Sequence, residues 1–160
     1  MNKFLMSMRV VLYAILVDTN VPMVKLLIFF RKKDHPPPPW NENIDCYVES
    51  AGGSATTSMR RYMAESLGCS EESIASHFHS PAVVRWALRH RIPTILIRRD
   101  AASSARSLAK RCGGHEWAHR FRYCLFWFWV RSVLNRVRVV EFEDAIKLEG
   151  FPWLAPSPES

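Results

Sequence analysis

The sequence predicts an α/β domain, a three-layer sandwich on a mainly parallel sheet, and three observations carry that expectation. Short apolar runs at residues 44–48, 94–97 and 137–142 alternate with stretches patterned as helices. The middle run, Thr94-Ile95-Leu96-Ile97, is uninterrupted by charge, as a strand covered on both faces must be. The first run breaks into a glycine turn and then a helix, the strand–turn–helix opening of a doubly wound sheet whose ligand sits at the carboxyl ends of its strands. The chain's 160 residues, 48% of them hydrophobic and 23% charged, suit one compact domain and exclude disorder, collagen-like repeats and a multidomain assembly.

Residues 4–30 are mostly apolar, but Arg9, Asp18 and Lys25 interrupt them, and the longest charge-free stretch, Val10 to Val17, is eight residues. A spanning helix needs about 20 apolar residues. The segment therefore reads as one or two buried elements broken near Pro22, with membrane association through residues 4–30 as the alternative. Arg31-Lys32-Lys33 and the run Pro36 to Pro39 follow as a basic patch and a stiff extended linker. This divides the chain into an N-terminal segment 1–40, a functional domain 41–150 and a polar tail 151–160.

Within that domain, residues 44–48 predict a strand, residues 59–67 a helix closed by Gly68, and residues 94–97 a second strand. A helix from Ala101 to Arg111 and a third strand from Val137 to Phe142 complete the pattern. The aromatic run 121–130 reads as a buried helix rather than a base-stacking surface. The cysteines Cys46, Cys69, Cys112 and Cys124 form no C-x-x-C pair and read as reduced, intracellular thiols.

Net charge is +7, unevenly spread: +4 over residues 1–40, −4 over 41–83, +8 over 84–124 and −1 over 125–160. A local excess of this size suits a phosphorylated ligand or another polyanion. The turn Gly52-Gly53-Ser54-Ala55-Thr56-Thr57 supplies what such a ligand needs, namely backbone amides, hydroxyls and a helix N-terminus. It is not a Walker A loop, since no lysine follows the glycines. Arg99, at the end of the second strand, and Ser107, two helical turns on, are placed to meet a second phosphate.

In this order the pieces resemble the sulfotransferases that use 3′-phosphoadenosine 5′-phosphosulfate (PAPS). The family's P-[KR]-S-G-T-T resembles Gly52 to Thr57, and its strand ending in R-[DN]-P with a serine eight residues after the arginine resembles Arg99-Asp100-Ala101 with Ser107. K-[ST]-H-x-P resembles His77-Phe78-His79-Ser80-Pro81, and Y-E-D-L resembles Phe142-Glu143-Asp144-Ala145. The resemblance covers residues 44 to 146 and implies a P-loop-like sulfotransferase fold and an enzyme moving a sulfuryl group from PAPS to a hydroxyl or amine. It implies that Ser54, Thr56 and Thr57, with the backbone of Gly52, Gly53 and Ala55, hold the 5′-phosphosulfate. Arg99 and Ser107 would hold the 3′-phosphate, and His79 would be the general base. No metal and no nucleic acid is expected, and the compartment is cytoplasmic, or Golgi-type if residues 4–30 anchor the chain. The chain departs from the family where Gly53 replaces the loop cation, a role open to Arg60, Arg61 or Arg98.

Two rival readings stand beside this one. A catalytically silent nucleotide- or RNA-binding module fits the glycine at position 53. His115-Glu116-Trp117-Ala118-His119 matches the H-E-x-x-H zinc peptidase motif, although Gly113 and Gly114 abut it where a helix should already be running.

Overall fold

The computed structural model describes residues 2–29, 38–41, 43–52 and 56–147. Four strands, β1 (Cys46–Ser50), β2 (Ile74–Ser76), β3 (Thr94–Arg98) and β4 (Arg138–Glu141), form an all-parallel sheet in the order β2-β1-β3-β4. Val48 lies opposite Ser76 on one side and Ile95 on the other, and Arg98 lies opposite Glu141. Helix α3 (Thr56–Leu67) joins β1 to β2 and α4 (Pro81–Arg89) joins β2 to β3. Helices α5 (Ala101–Cys112) and α6 (Glu116–Val130) lie between β3 and β4, and α7 (Phe142–Lys147) follows β4.

The alternation of side chains along the strands puts helices on both faces. Cys46, Val48, Ile95 and Ile97 pack with Met59, Met63 and Ala64 of α3 and Ala145 of α7. Tyr47 and Leu96 pack on the opposite side with Val83, Val84 and Ala87 of α4 and Phe126 and Val130 of α6. Ile95, Leu96 and Ile97 are at most 1% exposed, so each stabilises the fold by roughly 1.5–3 kcal/mol relative to an exposed position. The α/β class and parallel sheet are those the sequence predicts.

The boundaries differ instructively. The first strand runs over Cys46–Ser50, not 44–48, because the sheet carries Glu49 and Ser50 fully buried. Helix α3 starts three residues before Met59. β2 and α4 were not anticipated: β2 has three residues, too few to show a period, and α4 begins at Ser80-Pro81, where the Ser80 hydroxyl caps the Val83 amide. The aromatic run lies in α6 as expected, but only one side is buried. Tyr123, Phe126 and Val130 enter the core while Phe121, Phe128 and Trp129 stay exposed.

The N-terminal segment forms α1 (Lys3–Leu16) and α2 (Val21–Phe29), with the break at residues 17–20 and Pro22 in the first turn of α2, where its missing N–H is harmless. Val17 and Val24 enter the same core as α4 and α6. Small side chains let α1 approach α6: Ser7 and Ala14 are buried, and the Ser7 hydroxyl accepts from the His115 amide at 2.8 Å. The joint is fixed polarly. Asp18 receives Arg122 Nε at 2.6 Å, and its carbonyl accepts from the Ser80 hydroxyl at 2.6 Å. All four cysteines are free. Burial pushes the Cys46 thiol up to about 12, while Cys112 and Cys124 are exposed.

Candidate active site

In the order β2-β1-β3-β4 the chain leaves β1 toward β2 and returns to β3 on the other side, so the topological switch lies between β1 and β3. The crevice at their carboxyl ends is bounded by Ser50-Ala51-Gly52 and by Arg98-Arg99. The β2 end, carrying His77 and His79, adjoins it on the other side of β1.

Glu49 is the polar centre of this edge. It is 0% exposed, and five donors converge on its carboxylate. Oε2 accepts from the Tyr47 hydroxyl at 2.6 Å and from the amides of Phe78 and His79, each at 2.7 Å. Oε1 accepts from the Ser50 amide at 2.8 Å and from His79 Nδ1 at 3.0 Å. Burial alone would raise the pKa of this carboxyl. The His79 charge and hydrogen bond, the Tyr47 hydroxyl and the Ser50 amide outweigh burial and hold it below its usual range. Burial and the neighbouring Glu49 push the Tyr47 phenol well up, so it stays a donor.

This arrangement fixes the His79 tautomer. Nδ1 lies 3.0 Å from Glu49 Oε1 and 3.0 Å from the Ser50 carbonyl, both acceptors, so Nδ1 carries the hydrogen. In the neutral ring Nε2 then holds the lone pair, and among the described residues it makes no hydrogen bond. The side chain as a whole is 23% exposed.

His77 faces the start of α3. Its Nε2 lies 3.0 Å from the Thr56 hydroxyl and 3.1 Å from the Thr57 hydroxyl, and its Nδ1 lies 2.6 Å from the Ser76 hydroxyl. The two imidazole rings are 6.1 Å apart. His77 and His79 both adopt left-handed backbone, at φ 69° and 50°, a conformation that concentrates at functional sites when the surroundings enforce it.

Gly52 is buried at φ +99°, and a Cβ there would stand 3.1 Å from Leu108 Cδ1. Its carbonyl accepts from the buried Ser104 hydroxyl at 2.6 Å, which pins the turn to α5. Thr56 is buried and Thr57 exposed at the first turn of α3. The sites expected at Gly53, Ser54 and Ala55 lie outside the described residues. The Arg99 guanidinium lies 4.1 Å over the Phe142 ring, and its backbone amide and carbonyl both bond the Tyr123 hydroxyl. Ser107 is half-buried on α5.

The structure thus groups Gly52, Thr56, Thr57 and His79 around β1 and sets Arg99 at the end of β3, across the switch. Arg60 and Arg61 pair with Glu71 at 2.8 and 3.5 Å, and Arg98 pairs with Glu141, its Nε at 2.8 Å. Sequence reasoning passed over Glu49, Tyr47, His77 and Ser104. The one signal was an acidic residue close before a glycine turn at the end of an apolar run.

The H-E-x-x-H residues are arranged differently from a zinc helix. His115 precedes α6 as its N-cap residue, and His119 is buried with Nε2 donating to the Gly113 carbonyl at 2.8 Å. Among the described residues no three His, Cys, Asp or Glu side chains cluster as metal ligands. No family model, no curated protein and no solved structure matches the chain.

Proposed function

We propose that the protein is a PAPS-dependent sulfotransferase of P-loop-like fold, with His79 as general base. The observation that carries the reading is the His79 tautomer, locked by Glu49 and the Ser50 carbonyl so that Nε2 holds the lone pair at the end of β1 that leads into the glycine turn. In the reaction Nε2 takes the proton from an acceptor hydroxyl as its oxygen bonds to sulfur. The bond from sulfur to the 5′-phosphate oxygen breaks, and adenosine 3′,5′-bisphosphate leaves. Such a transfer is positioning plus charge stabilisation, and a correctly placed base contributes about 10²–10⁴ in rate.

The amide end of α3 and the Thr56 and Thr57 hydroxyls suit the 5′-phosphosulfate. Arg99 suits the 3′-phosphate by its place across the β1/β3 switch. Calorimetric titration with adenosine 3′,5′-bisphosphate beside 5′-AMP tests the site. Binding that needs the 3′-phosphate and weakens in Arg99→Ala is expected; silence toward both nucleotides overturns the reading. His79→Ala should lose transfer by about 10²–10⁴ while nucleotide affinity stays within about threefold, and an unchanged rate removes His79 from the chemistry.

A further inference from the structure

Helix α1 is apolar on the side that faces away from the protein as well as on the side that packs. Phe4, Leu5, Met8, Leu12, Ile15 and Leu16 are 38–61% exposed. At 100° per residue they share an arc of about 120°, opposite Ser7 and Ala14, which face α6. Helix α2 adds Met23 and Leu26, 39% and 53% exposed. A soluble helix keeps this outer arc polar, so the arc has a partner to meet.

Charge says which partner. Lys3 and Arg9 are exposed on α1 and form no ion pair among the described residues. The one acidic residue in residues 2–29, Asp18, is buried against Arg122. On the same wheel Arg9 borders the apolar arc, about 20° beyond Leu16, whereas Lys3 falls on the opposite side with Ser7 and Ala14, so the outer face offers apolar side chains with an uncompensated cation at one edge and no acidic group. The neighbouring helix α6, which packs on α1, carries a second exposed aromatic row, Trp117, Phe121 and Phe128, and Trp is enriched at the lipid–water boundary. No helix among the described residues is long and apolar enough to cross a membrane, and α1, at 14 residues, spans about 21 Å against a hydrocarbon core of about 30 Å.

We propose that the outer face of α1 lies in the interface of an anionic membrane, with its apolar arc among the acyl chains and Arg9 at its edge among the headgroups. This is the physical design of an interfacial helix, in which apolar burial supplies part of the affinity and anionic lipid the rest. The inference is independent of the chemistry at His79. A second copy is the competing occupant, but it would bring the same unpaired cations together.

The test is flotation of the full chain with vesicles of phosphatidylcholine alone or with 30% phosphatidylserine, alongside light scattering without lipid. The expected result is partition at least tenfold stronger on the anionic vesicles, weakened by 1 M salt. Leu5→Ser/Leu12→Ser, exposed positions that should leave the fold intact by circular dichroism, should lower it at least tenfold. Arg9→Gln, at the edge of the arc, should lower it about fivefold, and Lys3→Gln, on the opposite side of the helix, should lower it less. Equal partition on the two vesicle types, no partition, or unchanged partition of the double leucine variant overturns the proposal. A stable dimer abolished by the leucine changes, with no lipid uptake, assigns the face to a second copy instead.

Discussion

Replacing Glu49 with glutamine changes one atom in the buried site and should disturb stability and chemistry together. The carboxylate accepts five hydrogen bonds, three at Oε2 and two at Oε1. An amide can accept at only one end. With its oxygen toward Tyr47, Phe78 and His79, its NH₂ meets the Ser50 amide, donor against donor, at a separation that was 2.8 Å. Three charge-assisted bonds become neutral ones at about 1 kcal/mol each, and a buried amide loses its acceptor at about 1–3 kcal/mol. The expected loss is about 4–6 kcal/mol, at or just above the upper end of the range for breaking a buried ion pair.

Urea unfolding followed by tryptophan fluorescence reads this as a midpoint lower by about 2–3 M, for a slope of about 2 kcal/mol/M. The NH₂ group also invites His79 Nδ1 to accept, which moves the ring hydrogen to Nε2 and removes the lone pair on which the proposed base depends. Nitrogen NMR of the histidine ring reports that switch directly. A glutamine variant within 1 kcal/mol of the parent, its His79 still protonated on Nδ1, would refute the reasoning.

Two further variants probe other parts of the structure. Gly52→Ala places a Cβ 3.1 Å from Leu108 at φ +99° and should cost about 1–3 kcal/mol by the same unfolding assay; an unchanged midpoint would mean that the turn is not held as described. Asp18→Asn tests a pH dependence. Burial raises the Asp18 carboxyl to about 6 although Arg122 opposes it, so between its ordinary value of 3.8 and about 6 the folded state holds a proton that the unfolded state has released. Its contribution therefore declines as pH rises through that window, by up to about 3 kcal/mol. Glu49, with a lowered value, acts in the opposite sense, its stabilisation being present above the ordinary carboxylate range and lost on acidification. The difference in stability between parent and Asp18→Asn should shrink from pH 4 to pH 6, and a constant difference would show that Asp18 is ionised throughout.

What the sequence made legible follows physical range. The class was readable because β3 is apolar and the glycine turn interrupts an apolar run, and both signals are local. The extent of β1 was not, because burying Glu49 depends on donors from Phe78 and His79, about 30 positions away, which no local pattern reveals. His79 stood out as a candidate from its neighbours in sequence, but its tautomer did not, since that depends on two acceptors at the end of another strand. Exposure of half of α6 was equally hidden: its aromatic residues run almost without a break, and only the packing partners decide which side is covered. The glycine turn was visible as composition, whereas the Ser104 bond that pins it comes from a helix 52 positions on.

The strain and its compensation lie at one atom. Two non-glycine residues in left-handed backbone cost about 1–3 kcal/mol each, and His77 and His79 sit on either side of Phe78 in a three-residue turn. Left to local preference, that turn would relax. It does not, because the amides of Phe78 and His79 both point at Glu49 Oε2, and a hydrogen bond to a charged acceptor is worth about 1.5–3 kcal/mol. The two bonds match the strain, and the His79 ring bond to Oε1 adds to them. The carboxylate that orients the imidazole therefore also bends the backbone that presents it. A substitution that spares the ring bond but weakens the amide bonds should still misplace His79, so the proposed base depends on Glu49 through its main chain as much as through its side chain.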